Sequence, residues 1–174
     1  MFEMFKERGY SVAELNNVLY RKLDPEEEFP PPSDHYEIRR SPMEEAEIAG
    51  SIVESAFFPE GAPEAFRGLI TPLYQMKNAL PFVATIDDEP VACGTGLIIP
   101  EHRVFALCGA GTLSAYRGRG VQTALLRARM KAARDAGCEY AVVVTQGATT
   151  SQRNAERLGL RVAYSKVTVI KNLV

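Results

Sequence analysis

The sequence predicts an α/β (α+β) fold: one mixed, mostly antiparallel central sheet flanked by helices on both faces. Three observations carry that prediction. The middle of the chain reads as strands joined by short turns, the last third alternates helix with strand, and a proline- and acid-rich block, "DPEEEFPPPSD", sets a short N-terminal piece apart. With 174 residues, 46% of them apolar and 24% charged, the chain has the size and composition of one ordinary globular domain.

Residues 1–23 read as an N-terminal extension: a short helix, Gly9 as its stop, and a strand around Leu15 to Arg21. Residues 24–34 read as a linker, extended where the prolines run. The main domain is placed at 35–174 and opens with "YEIRR" as a strand. Pro42 marks a helix start, and Ala46, Ala49, Ile52, Val53 and Ala56 have helical spacing as far as Phe57. A second helix is predicted from Pro63 to about Lys77.

"PFVATIDDEPVACGTGLIIP" gives two strands turning at Asp87-Asp88-Glu89, and "RVFALCGAGTL" returns as a third. If that second hairpin centres near Glu101, Gly94 faces Cys108 and Gly96 faces Ala106. The glycines of the two arms would then form a shallow groove for an acceptor. Next come a helix from Gly120 to Ala136 closed by Gly137, the strand "EYAVVVT", the short helix "SQRNAERL" capped by Gly159, and the closing strand "RVAYSKVTVIK".

Composition narrows the function classes. No run approaches the ~18 apolar residues of a membrane span, and the charged start has no apolar signal stretch, so a cytoplasmic chain without membrane contact is expected. Cys93, Cys108 and Cys138 are scattered and the only histidines are His35 and His102, so neither a disulfide framework nor a metal site is expected. Residues 1–65 hold fifteen acids and six bases, a net −9; residues 66–174 hold seven acids and fourteen bases, a net +7. Between His102 and Arg134 there is no acid, but Arg117, Arg119, Arg127, Arg129 and Lys131 all lie there. Such a one-sided field favours an anion, although a solvated helix face accounts equally well for the arginines beyond Arg119.

The chemistry is concentrated in "TLSAYRGRGVQTALL". A strand ends near Leu113, Gly118 and Gly120 permit a tight turn, and a helix starts at once. Its free N–H groups and positive dipole end make a phosphate site. Two familiar glycine loops fail on residues: G-x-x-x-x-G-K-S/T is absent, and Gly118-Arg119-Gly120 runs on to Thr123 where G-x-G-x-x-G needs glycine.

"R117-G-R-G-V-Q", following a strand and opening a long helix, resembles the R/Q-x-x-G-x-G/A signature of the GNAT superfamily of acyl-CoA N-acyltransferases. The order of elements from Tyr36 to Lys171 is similar as well. This resemblance implies acetyl-CoA as co-substrate, an amine-bearing acceptor on a small molecule or peptide, and acetyl transfer by direct attack. It implies that Arg117, Gly118, Arg119, Gly120, Val121 and Gln122 hold the pyrophosphate, that Thr112 and Leu113 meet the pantetheine arm and acyl carbonyl, and that Ser151 and Asn154 form a second cofactor segment. A splay of the strand from its neighbour, with a bulge at Gly109 and Gly111, is expected there.

The sequence departs from the family pattern at three positions, the least of them Ser114 in place of a frequent proline. Gln122 stands where glycine or alanine is preferred, so its side chain must point away from the phosphates. Ala155 stands four before Gly159, where many members carry the tyrosine that protonates the departing thiolate. The catalytic groups therefore stay open: the Leu113 N–H as oxyanion donor, Glu54, Glu101, His102 or a water chain as base, and Tyr164 or Ser151 as acid. A non-catalytic CoA-binding sensor of the same fold is the alternative. Nucleic-acid binding is disfavoured by a pI near 5.8 and by Tyr116 being the only aromatic from Ala106 to Glu139. Residues 1–23 look like the "short helix, Gly-aromatic, strand" ending of such a domain. That implies a longer tandem protein or a first strand packed on the domain's edge, where a free edge would invite a homodimer.

Overall fold

The computed structural model describes residues 2–30, 33 and 35–171. Along the chain run α1 (Phe2–Glu7), β1 (Tyr10–Lys22), β2 (Glu37–Arg40), α2 (Ala46–Phe57), α3 (Thr71–Gln75), β3 (Phe82–Ile86), β4 (Glu89–Ile99), β5 (Val104–Thr112), α4 (Val121–Asp135), β6 (Tyr140–Gln146), α5 (Thr150–Arg157) and β7 (Arg161–Lys171). The strands form one sheet in the order β2-β3-β4-β5-β6-β1-β7, antiparallel at every junction except the parallel β5–β6 pair. The mixed sheet with helices on both faces is the architecture the sequence predicts.

Strand alternation sorts the core onto two faces. On one, α2 and α3 pack Ala46, Ala49, Ile52, Val53 and Tyr74 against Cys93 of β4. On the other, Val121 and Leu125 of α4 meet Phe82, Ala84 and Ala92, while Leu126 and Met130 join Leu158 near α5 and the sheet residues Leu19, Phe105, Leu107 and Ala141. The β3–β4 turn places Asp87 and Asp88 at φ 52° and 64° between the paired Ile86 and Glu89. Two left-handed central residues are what a tight hairpin with the natural strand twist needs.

Several expectations change. The helix predicted over 63–77 is reduced to a single 3-10 turn at Glu64–Phe66 and the five-residue α3. Gly68, at φ 69°, ends the first piece, and Pro72, early in α3, begins the second. The second hairpin centres half a residue later than expected: Thr95 faces Cys108 and Gly96 faces Leu107. The glycine groove is filled. A Cβ at Gly94 would stand 2.7 Å from the Arg129 Cζ, one at Gly111 would stand 2.9 Å from the Val53 Cα, and one at Gly96 would meet the Phe105 ring. These glycines admit side chains and a helix backbone, not an acceptor.

β1 does not lie on the edge of the sheet. It is inserted between β6 and β7 and is antiparallel to both, with Val18, Leu19 and Leu23 buried. The two edges are β2 and β7. The described part of the linker is held to the domain: Arg21 pairs with Glu27, Arg134 donates to the Glu27 carbonyl, and the Arg134 guanidinium lies 5.3 Å from the centre of the Phe29 ring. Pro31, Pro32 and Asp34 of that segment lie outside the described residues.

Candidate functional site

The site arises where two parallel strands part. β5 and β6 pair only from Val104 to Leu107 against Tyr140 to Val143, after which each runs on alone. A bulge drives the separation. Gly109 and Ala110 stand together opposite Gly94, between the Thr95–Cys108 and Cys93–Gly111 pairs, and Gly109 takes a φ of 52°. Tyr74 fixes the bulge from α3 by donating its hydroxyl to the Gly109 carbonyl.

Beyond the bulge opens a cleft of about 590 Å³. Ala110, Gly111 and Thr112 line it from β5, and Tyr116, Arg117, Gly118 and Gly120 from the following loop. Val121, Gln122 and Thr123 contribute from the first turn of α4, and Thr150, Ser151, Asn154 and Arg157 from one stripe of α5. Ala56 and Phe57 close one side. Of the ten residues expected to hold the cofactor, eight meet here. Leu113 and Arg119 do not line the cleft.

The backbone at the mouth is short of partners. Gly120 ends the loop at φ 81° and no side chain caps α4, so the amides of Val121, Gln122 and Thr123 have no intrahelical acceptor. At the floor, the Leu113 N–H donates to the Val91 carbonyl at 3.0 Å and is not available to an oxyanion. Strand alternation then turns the Thr112 N–H toward the side β6 has left, so Thr112 replaces Leu113 as the candidate donor.

The arginines differ from one another. Arg117 donates to the carbonyls of Thr112 at 3.2 Å and Ala56 at 2.5 Å, tying the end of β5 to the last turn of α2. Arg119 lies with its guanidinium 5.2 Å from the centre of the Tyr116 ring. The Gln122 side chain is drawn to α5: its Oε1 accepts from Asn154 Nδ2 at 2.5 Å, and Asn154 Oδ1 accepts from Arg157 Nη1 at 3.1 Å. This relay leaves the Gln122 amide facing the cleft and puts the charge of Arg157 on its wall. No carboxylate is among the described residues that line the cleft.

Sequence reasoning missed Arg157, although it lies three residues after Asn154 and seven after Thr150, the spacing of one helix face. It also missed Arg129, which is 1% exposed. Arg129 stands four residues after Leu125 and eight after Val121, on the apolar stripe of α4, and is not part of a solvated face.

The candidate acids and bases separate. Ser151 lies on the cleft wall. Tyr164 is 59% exposed on β7, opposite Val18 and two strands, about 10 Å, beyond β6. Glu54 accepts the Gly68 N–H at 2.6 Å and is taken up in holding the loop between α2 and α3. Glu101 and His102 form the turn at the opposite end of β5, about 27 Å of strand from Thr112. Ala155 is buried in the core.

A model of the acetyltransferase (GNAT) family matches residues 36–160, more than half of the chain. The chain belongs to that family. This GNAT chain has no significant match among curated proteins. Among solved structures it is similar to the GCN5-related N-acetyltransferase of Sphaerobacter thermophilus, with TM-score 0.72 and 20% identity over 97% of this chain and 54% of that one. A GCN5-related N-acetyltransferase from Kribbella flavida gives TM-score 0.66 and 19% identity over 97% and 62%. A predicted acetyltransferase from Clostridium acetobutylicum, solved with acetyl-CoA, gives TM-score 0.59 and 14% identity over 72% of this chain and 90% of that one. At these identities the likeness is one of fold. The chain spans just over half to about three fifths of the length of the first two structures. The GNAT match runs from residue 36 to residue 160, so it includes neither β1 nor β7. No helix among the described residues is long and apolar enough to cross a membrane.

Proposed function

We propose that the protein transfers an acetyl group from acetyl-CoA to a primary amine of a small molecule or peptide. The observation that carries this reading is the cleft between the splayed β5 and β6, which opens onto the uncapped N-terminus of α4. A diphosphate fits the free amides of Val121, Gln122 and Thr123, where the helix dipole and unpaired N–H groups favour an anion. The Arg157 side chain adds positive charge from α5. An extended pantetheine arm fits the open edge of β5, and the Thr112 N–H is the donor available to the carbonyl oxygen as negative charge develops. Since none of the described residues lining the cleft is a carboxylate, proton removal from the attacking amine is assigned to water.

Acetyl-CoA, CoA and ADP are the probes for this reading. A ligand held at 100 times its dissociation constant raises stability by ~2.7 kcal/mol. Both CoA species are expected to raise the melting temperature, and absence of a shift with either removes the proposal. Release of free thiol across a panel of amines then reports turnover.

The burial of Ala155 where the family resemblance implies a tyrosine favours a second reading, a module that binds CoA without turning it over. A CoA-dependent thermal shift with no thiol release from any amine would select it.

A further inference from the structure

Arg129 is a fully buried cation without a carboxylate partner among the described residues. Its Nε donates to the Leu125 carbonyl at 3.1 Å, and its Nη1 to the carbonyls of Thr95 at 2.8 Å and Cys108 at 3.4 Å. The missing Cβ of Gly94 gives the guanidinium its room. The titratable groups that face it are Tyr74 from α3, Cys93 from β4 and Cys108 from β5. Burial pushes the Cys93 thiol up to about 11, raises Cys108, and lifts Tyr74 above the usual tyrosine range. All three are therefore neutral near pH 7. Burial lowers the Arg129 pKa from its ordinary value, yet a guanidinium keeps its proton near neutral pH, so the positive charge is unneutralised there.

Its position relative to the cleft gives that charge a use. Cys108 immediately precedes the bulge, and Ala110, two residues on, is the first residue of β5 to line the cleft. An arm anchored at the amides of α4 and laid along β5 brings its sulfur to this inner end.

Resting on the reading of the cleft as a CoA site, we propose that Arg129 stabilises the departing CoA sulfur as a thiolate, in place of a side chain that would protonate it. The amine lone pair forms the C–N bond, the C–S bond breaks with its electron pair going to sulfur, and the proton of the amine passes to water. Arg129 touches none of these atoms. It is a positioning residue that acts through the bulge it holds and through its field, since a nearby cation favours the charged form of a thiol.

Binding of CoA compared with S-methyl-CoA, from pH 6 to pH 10, tests the inference apart from turnover. The thioether has no titratable thiol, so titration of the phosphates is common to both ligands, and substitution of Arg129 separates its field from those of Arg117 and Arg157 on the cleft wall. A thiol whose bound pKa lies below its free value is held more tightly as pH rises, with a tenfold gain for each unit of depression, levelling above the free pKa. For the wild type, the CoA to S-methyl-CoA affinity ratio is expected to rise about tenfold. In Arg129→Gln, which keeps a donor for the carbonyls but no charge, the rise is expected to vanish. A flat wild-type ratio overturns the proposal, and so does an undiminished rise in Arg129→Gln. Should that variant not fold, Arg117→Gln and Arg157→Gln take its place: a rise kept in both supports the proposal, and a rise lost in either overturns it. Failure of S-methyl-CoA to bind the wild type instead overturns the CoA reading on which this rests.

Discussion

The two ends of the sheet are built differently. From Val91 to Gly96, β4 is buried residue by residue between α2 and α3 on one face and α4 on the other. At the other end, ten of the eleven residues of β7 are exposed, and among the described residues β7 pairs only with β1. β1 shows both conditions along one strand: Val18 and Leu19 are buried where β6 flanks it, while Val12 and Leu15 are more than half exposed where only β7 does. The contrast explains where the site lies. A cleft that must hold donors in fixed positions is cut into the doubly covered region, where packing leaves one arrangement of the bulge. The uncovered end contributes a partner for β7 and little core.

The contrast breaks first at Leu19, which is fully buried against α4 and α5. Leu19→Ala is expected to cost about 2–5 kcal/mol, read by denaturant unfolding. Val167→Ala, at a 37% exposed position on β7, is expected to stay within about 0.5 kcal/mol. Equal costs at the two positions would mean that the ribbon end is covered in solution.

At the cleft, Gly120→Val forces a branched side chain into a φ of 81°. Backbone strain of that kind costs about 1–3 kcal/mol, a drop of several degrees in melting temperature. A Cβ there would meet only the Tyr36 hydroxyl, at 3.7 Å, so the loss is conformational and not a clash. Because the same φ aims the loop amides, CoA affinity is expected to fall more than tenfold at temperatures where the variant remains folded, by isothermal titration. Undiminished affinity would remove the loop from the binding site.

A smaller effect sharpens the picture at the β2 edge. Glu45 accepts from Arg39 at 2.9 and 3.0 Å and from the Ser41 hydroxyl at 3.0 Å, bonds that hold its carboxyl below the usual carboxylate range. A depressed carboxylate stabilises above its unfolded pKa and loses that contribution as pH falls through its folded one. Glu45→Gln is therefore expected to lower stability by about 1 kcal/mol or less at neutral pH. The deficit should close once the pH is taken below the carboxylate range, as followed by melting temperature in acid. A pH-independent deficit would assign the loss to packing.

Much of this was legible in the sequence because it is local. The tight turn at Asp87-Asp88, the left-handed Gly120 before α4 and the Gly109 bulge are each set by residues within a few positions of the feature. What could not be read is set across the chain. The place of β1 between β6 and β7 depends on pairing Asn17 with both Thr145 and Ser165, contacts that no periodicity encodes. The same holds for the filled glycine groove: Gly94 reads as an open position until Arg129, thirty-five residues later, is folded onto it. Arg129 itself reads as a surface arginine in sequence because its charge outweighs its place on the apolar stripe.

Tyr164 gives the smallest expected effect and tests the comparison from the exposed side. A tyrosine in the closing strand is chemically suited to donate a proton, and sequence alone left it among the candidate acids. In the folded chain it is 59% exposed and lies across β1 from β6, away from every residue that lines the cleft. A proton donor must come within hydrogen-bond reach of the group it serves, directly or through one water. Tyr164→Phe removes only the hydroxyl, so stability is expected to change by less than about 0.5 kcal/mol. CoA affinity and the rate of thiol release should be those of the wild type. A loss of turnover with intact CoA binding would place β7 of one molecule against the cleft of another, and the exposed end of the sheet would then belong to the site.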